Sequence, residues 1–396
     1  MNRDQQELMF PLSRRQVMGA IGVASVAGLA PRVSPGQPAT PRPAEPPSTI
    51  STPPRDFTPG AQPVTYPDPD LVTVDPAFNG LRLGNTPILR LWTGALWSEG
   101  PAWSSQGRYL VWSDIPNDRQ LRWLEDDGRV TVFRAPSNNS NGNTFDFEGR
   151  QLSCEHLTRR VVRYENDGTI TVIADAYEGK PLNSPNDVVP HPNGGYFFTD
   201  PPFGGQFYEG VPDAPGGPSN AQGLLRQRVG QAAEIGEAKR ELPTNVYRVA
   251  PDGRVSIAIG ADLFPGPPNG LAFSPDYRKL YVVSGGNLHA GDVADDGRVS
   301  NVKQFAELTV DGVPCRTDGV RADVFGNLWC SSNAGRSVGY SGVTVWSPDG
   351  KLLGRIRLPE VCGNVAFGGP KRNRLFMAAS QSLYAVYVNT QGAAPG

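Results

Sequence analysis

Six times along the chain, a short strand that opens on a polar residue or glycine runs into a turn and then a second, aromatic or β-branched strand. The six copies are 99-EGPAWSSQGRYLVWSD-114, 141-NGNTFDFEGRQLSCEH-156, 186-NDVVPHPNGGYFFTD-200, 269-NGLAFSPDYRKLYVVSG-285, 318-DGVRADVFGNLWCSS-332 and 363-GNVAFGGPKRNRLFMAAS-380. After each of the first five comes a second hairpin signal: 126-DDGRVTVF-133, 166-NDGTITVI-173, 251-PDGRVSIAI-259, 295-DDGRVSNV-302 and 348-PDGKLLGRI-356. Glycine in these turns accepts the positive φ that a tight reversal demands. Each unit therefore has four strands, and openings mostly 42 to 49 residues apart give the period of a β-propeller blade. One gap of 83 residues holds a blade plus an insertion over about 201–241. The sixth unit ends with 382-SLYAVYVN-389 and lacks a fourth strand. The stretch 87-PILRLWTGAL-96 is a strand without a partner of its own. The expected fold is an all-β, six-bladed propeller of four-stranded blades, its last blade closed by an N-terminal strand.

In a propeller the first strand of each blade lines the central channel, so equivalent positions form a ring about one axis. The aligned openings are Glu99, Asn141, Asn186, Asn269, Asp318 and Gly363, and five of the six carry a carboxylate or amide oxygen. Turn-forming Asn and Asp also open strands for purely local reasons. Two carboxylates among neutral oxygens, however, suit a hard divalent cation, Ca²⁺ first, with Mg²⁺, Mn²⁺ and Zn²⁺ as alternatives. The ring offers no His or Cys, which disfavours zinc.

A net charge of −2 gives no electrostatic basis for binding nucleic acid. The N-terminus reads separately: 13-SRRQVMG-19 and the short apolar run Met18–Ala30 have the form of a twin-arginine export signal, too short to span a bilayer. The expectation is export by the twin-arginine machinery to the periplasm, with no stable membrane span after processing. Residues 31–70 hold 13 of the 39 prolines and read as a linker, leaving 71–396 as the propeller domain. Cys154, Cys315, Cys330 and Cys362 have no metal-site spacing, which leaves buried thiols or one disulfide.

The stretches 99-EGPAW, 183-NSPNDVV, 196-YFFTDPPFG, 268-PNGLAFSPD and 317-TDGVRADVFGNLW resemble the senescence-marker-protein, gluconolactonase and luciferin-regenerating family of six-bladed propellers, from about residue 90 onward. The bacterial gluconolactonase branch is the nearest in motif. The resemblance implies hydrolysis of a sugar lactone and a catalytic divalent cation on Glu99, Asn269 and Asp318, with Asn186 beside them as metal or substrate ligand. Ser184 stands where animal members carry a substrate-binding Arg.

On this reading Asp318, with Glu99 second, takes a proton from water while the cation polarises the lactone carbonyl. Asn141, Asn186, His156 and Glu155 are candidate substrate contacts, and Asp200 is assigned to ordering its turn. Other readings of the same ring are a metal-dependent esterase or phosphotriesterase and a non-catalytic calcium-binding propeller. The GxSxG match at 335-GRSVG-339 requires a strand–turn–helix context that an all-β blade does not supply.

Overall fold

The computed structural model describes residues 45–61, 64–203 and 241–393. Six antiparallel sheets follow one another in chain order. Blade one runs Ser98–Ser104, Tyr109–Asp114, Arg119–Leu124 and Val130–Arg134. Blade two opens with Ser140–Phe145, blade three with Val188–Pro190, blade four with Pro268–Phe273, blade five with Val320–Ala322 and blade six with Cys362–Gly368. In blade six, Ser382–Tyr387 pairs with Leu89–Thr93, so the strand before the first repeat closes the last one. The long insertion and the charged stretch within it fall mostly on 204–240, outside the described residues.

Burial falls outward across a blade, and the sequence pattern follows. The second strands are covered by neighbouring blades on both faces and read as continuous apolar runs, as in 280-LYVV-283, all buried. Outermost strands such as Ile170–Ala174 alternate between exposed and covered residues. Apolar clusters fill the gaps between blades. Trp103 of blade one stacks on Phe376 of blade six at 5.9 Å, and Phe197 of blade three meets Phe273 of blade four edge-on at 5.2 Å. Between blades one and two the apolar contact of Val111 and Tyr109 with Phe145 is joined by a polar network: Gln120 Nε2 donates to Ser140 Oγ, Asn143 Oδ1 and Ser153 Oγ at 3.0–3.2 Å. That network braces the strand that carries Asn141.

Two features differ from the sequence reading of residues 31–70 as linker. The compact unit already begins at Pro46. Arg55 is buried with Asp68 and Asp70, its Nη1 lying 2.8 Å from Asp68 and 3.4 Å from Asp70. Arg55 Nη2 also donates to the Ile88 carbonyl at 2.7 Å, which moors this strap to the strand that closes blade six. Pro-rich composition concealed the strap because its anchors are isolated charged residues rather than a periodic apolar pattern. Leu71–Thr73 adds a fifth strand to the outer edge of blade five, paired with Leu352–Arg357. All four cysteines are buried and free. Ser337 is exposed in the loop between the second and third strands of blade five, away from any strand–helix turn.

Candidate active site

The openings of the inner strands are locally irregular. The pairing register shifts between Glu99 and Ala102, Ser140 and Asn143, Pro268 and Leu271, and Cys362 and Asn364. Such bulges re-aim side chains and are frequent beside active sites. They also bring neighbouring blades together. Gly142 N donates to Asn186 O at 2.7 Å, Gly270 N to Asp318 O at 2.9 Å and Gly319 N to Gly363 O at 2.9 Å. A Cβ on Gly142 would lie 2.6 Å from Asp187 Oδ1, and one on Gly363 would strike Glu99 Oε1. Glycine recurs in the repeat because the inner strands approach one another too closely for a side chain there.

Three of the expected site residues come together. Glu99 is buried, accepts from Gly100 N at 3.0 Å through Oε2, and leaves Oε1 without a hydrogen-bond partner. Asp318 is partly buried and interacts directly with both Glu99 and Asn269. The Asn269 amide favours the ionised form of Asp318, and its buried Oδ1 has no hydrogen-bond partner. Burial, reinforced by the Asp318 charge, holds the Glu99 carboxyl well above the usual carboxylate range. Burial, reinforced by Asp187, pushes Asp318 up to about 7.

The other candidates stand around this pair. Asn186 opens the inner segment of blade three, buried, with its Nδ2 unpartnered. Asn141 is buried and its Nδ2 lies 3.3 Å from His156 Nε2. Burial lowers His156 to about 3, which keeps the imidazole neutral. Glu155 does not turn to the channel. Arg160 Nε at 2.6 Å, Thr158 Oγ1 and Tyr164 Oη engage its two oxygens, so its carboxylate braces blade two rather than a substrate. Its place at a strand end suggests a channel-facing side chain, but its charge meets the neighbouring strand's Arg160 instead.

Asp200 has a supporting role here. Its two oxygens accept from Asn183 N and Ser184 N at 2.8 Å each, mooring the 183–186 segment that presents Asn186. Burial raises its carboxyl to about 7.

The ring alignment missed two residues because it considered only the first position of each unit. Where four units carry Gly second, blade three has Asp187 and blade six Asn364. Asp187 is a third buried carboxylate acting on both Glu99 and Asp318, and the Asn364 amide favours the charged form of Glu99. The break in the N/D–Gly pattern was the available signal.

These side chains fit a hard cation. Of Glu99, Asp187 and Asp318, only Asp187 has an arginine within ion-pair distance among the described residues, Arg321 Nη1 at 3.3 Å. Fully ionised, the three carboxylates would exceed that arginine by two negative charges, beside buried oxygens of Glu99 and Asn269 that lack hydrogen bonds. Among the described residues no group of three or more His, Cys, Asp or Glu could hold a metal ion. A cation would therefore depend on the mixed set of carboxylate and amide oxygens.

Residues 97–381 match the family described as SMP-30/Gluconolactonase/LRE-like region. The chain belongs to that family. A gluconolactonase of Zymomonas mobilis is 29% identical over 346 residues, covering 80% of this chain and 85% of that protein. A pentonolactonase of Haloferax volcanii is 25% identical over 295 residues, covering 71% of this chain and 81% of that protein. Among solved structures, a gluconolactonase of Xanthomonas campestris shares 34% identity with a TM-score of 0.65, over 80% of this chain and 94% of that one. The family's sequence match begins two residues before Glu99 and covers all six openings.

Proposed function

We propose that the protein is a divalent-cation-dependent lactonase that hydrolyses a sugar aldonolactone to the aldonic acid. The observation that carries the reading is the charge imbalance at one channel mouth: buried Glu99, Asp187 and partly buried Asp318 against a single Arg321, with orphaned oxygens on Glu99 and Asn269. Family membership and the two lactonase relatives supply the reaction class. Glu99, Asn186, Asn269 and Asp318 would hold the cation, with Ca²⁺ the best match to this oxygen set. Bound there, it would supply Lewis-acid polarisation of the lactone carbonyl.

The protein's own residues do the rest. Asp318 is partly exposed where Glu99 is buried, so it is the carboxylate that water can reach. It accepts the proton as the water oxygen bonds to the carbonyl carbon, and returns it to the ring oxygen as the C–O bond breaks. Glu99, buried and tied to Gly100 N, holds the geometry. Asn186 offers an unpartnered amide donor, and Asn141, oriented by the neutral His156, offers a second polar contact for sugar hydroxyls.

The 13-SRRQVMG-19 segment supports export through the twin-arginine route to the periplasm, where such a lactone would be met. It lies outside the described residues. The test is hydrolysis of glucono-δ-lactone before and after removal of divalent ions. Activity lost on chelation and restored by Ca²⁺, Mg²⁺ or Mn²⁺ is expected; full activity in metal-free protein would overturn the cation's role.

A further inference from the structure

The mouth that holds Glu99 and Asp318 has a floor, and the floor is an ion pair between blades that are not neighbours. Asp187 belongs to blade three and Arg321 to blade five, with the inner strand of blade four between them. Asp187 is fully buried and Arg321 is 9% exposed. Asp187 Oδ1 accepts from Val188 N at 3.1 Å, which leaves Oδ2 to face Arg321 Nη1 at 3.3 Å. The same Nη1 donates to Val320 O at 2.8 Å, so the guanidinium is held from its own strand. On the upper side, Asp187 acts on both Glu99 and Asp318. On the lower side, Arg321 lines a cavity of about 40 Å³ walled by Phe145, Phe273 and Phe367. Those walls lie several residues past the strand openings, roughly 10 Å along the bore at strand rise.

We infer that the Asp187–Arg321 pair is the septum of this site, with Arg321 a positioning residue that neutralises Asp187 and leaves the cup above it with the charge of Glu99 and Asp318 alone. This rests on the cation-dependent reading. A charge-matched cup binds a divalent cation without overbinding it, because each further uncompensated carboxylate a few ångströms away adds strongly to attraction in a poorly solvated bore. Without Asp187, the guanidinium would instead put an unbalanced positive charge beneath the ligands. The pair also explains why blade three departs from the glycine pattern: Asp187 fills space that a side chain on Gly142 would otherwise contest.

The experiment is calorimetric titration of metal-stripped full-length protein with CaCl₂, comparing wild type, Arg321→Gln, Asp187→Asn and the double variant. Arg321→Gln should tighten Ca²⁺ binding and Asp187→Asn should weaken it, each by about tenfold or more, about the change expected for one nearby charge. The double variant should return to within about threefold of wild type, because the two opposite changes of charge cancel. Opposite signs set this apart from a structural role, which would weaken binding in both single variants. If Arg321→Gln does not fold, the neutral and similarly long Arg321→Met takes its place with the same expected tightening. Shifts of the same sign, or none, in variants of a wild type that binds Ca²⁺ would overturn the septum alone. A wild type that binds no divalent cation would overturn the cation-dependent reading and this inference with it.

Discussion

The two ends of the central channel are built from the same six strands and share almost no chemistry. At the strand openings, bulges and close glycine contacts turn carboxylate and amide oxygens toward one another, and several are left without hydrogen bonds. A few residues further along, the same strands are regular and present Phe145, Phe273 and Phe367 around a small cavity, and the 392–393 segment also lines it. The difference shows where the fold tolerates strain. Regular pairing at one end carries stability, while irregular pairing at the other brings together buried carboxyls that need a proton or a cation to lie so close.

The sharpest way to break this comparison is to alter each end in turn. Asp318→Ala should lower kcat for lactone hydrolysis by about 10³-fold, the range for loss of a general base, with the fold intact by circular dichroism. Phe273→Leu should cost on the order of 1 kcal/mol of stability in denaturant titration and leave kcat within about twofold. An equal loss of turnover in both would erase the functional difference between the ends.

A pH series sharpens it further. Asp318 and Asp200 both have folded-state values raised to about 7 from an ordinary 3.8. The folded protein thus binds more protons than the unfolded chain, and the stability tied to these groups is lost as pH rises through about 7. His156 works the other way, but its lowered value completes its contribution by about pH 6.5. Metal-free protein should therefore lose Tm as pH rises from about 4 to 7, with His156 offsetting part of the fall, and saturating Ca²⁺ should remove the share that belongs to Asp318 and leave that of Asp200. A flat or rising Tm in metal-free protein would contradict the charge assignment at the polar end.

The smallest effect is expected at its rim. Asn141→Ala should raise KM about tenfold with kcat nearly unchanged, since its amide contacts His156 and is assigned to binding rather than to the proton transfer.

The propeller was legible because every blade carries its own strand and turn signals, and the unmatched 87–96 stretch supplied the closing strand. The strap from Pro46 was not, because Arg55, Asp68 and Asp70 act singly within a proline-rich stretch. Equivalent openings of the repeat pointed to Glu99, Asn269 and Asp318, and the structure sets these three against one another, but a single aligned position has limits. It could not show Asp187 and Arg321 as partners 134 positions apart, because their contact crosses blade four. Nor could it show that Glu155 turns to Arg160, since position along a strand does not reveal which neighbour a charge will meet.

The most direct measurement is the anomalous signal from crystals of the protein grown with Mn²⁺. One strong peak is expected on the propeller axis within coordination distance of Glu99, Asn269 and Asp318, at the polar end. A peak elsewhere, or none in a protein that still hydrolyses glucono-δ-lactone, would contradict it.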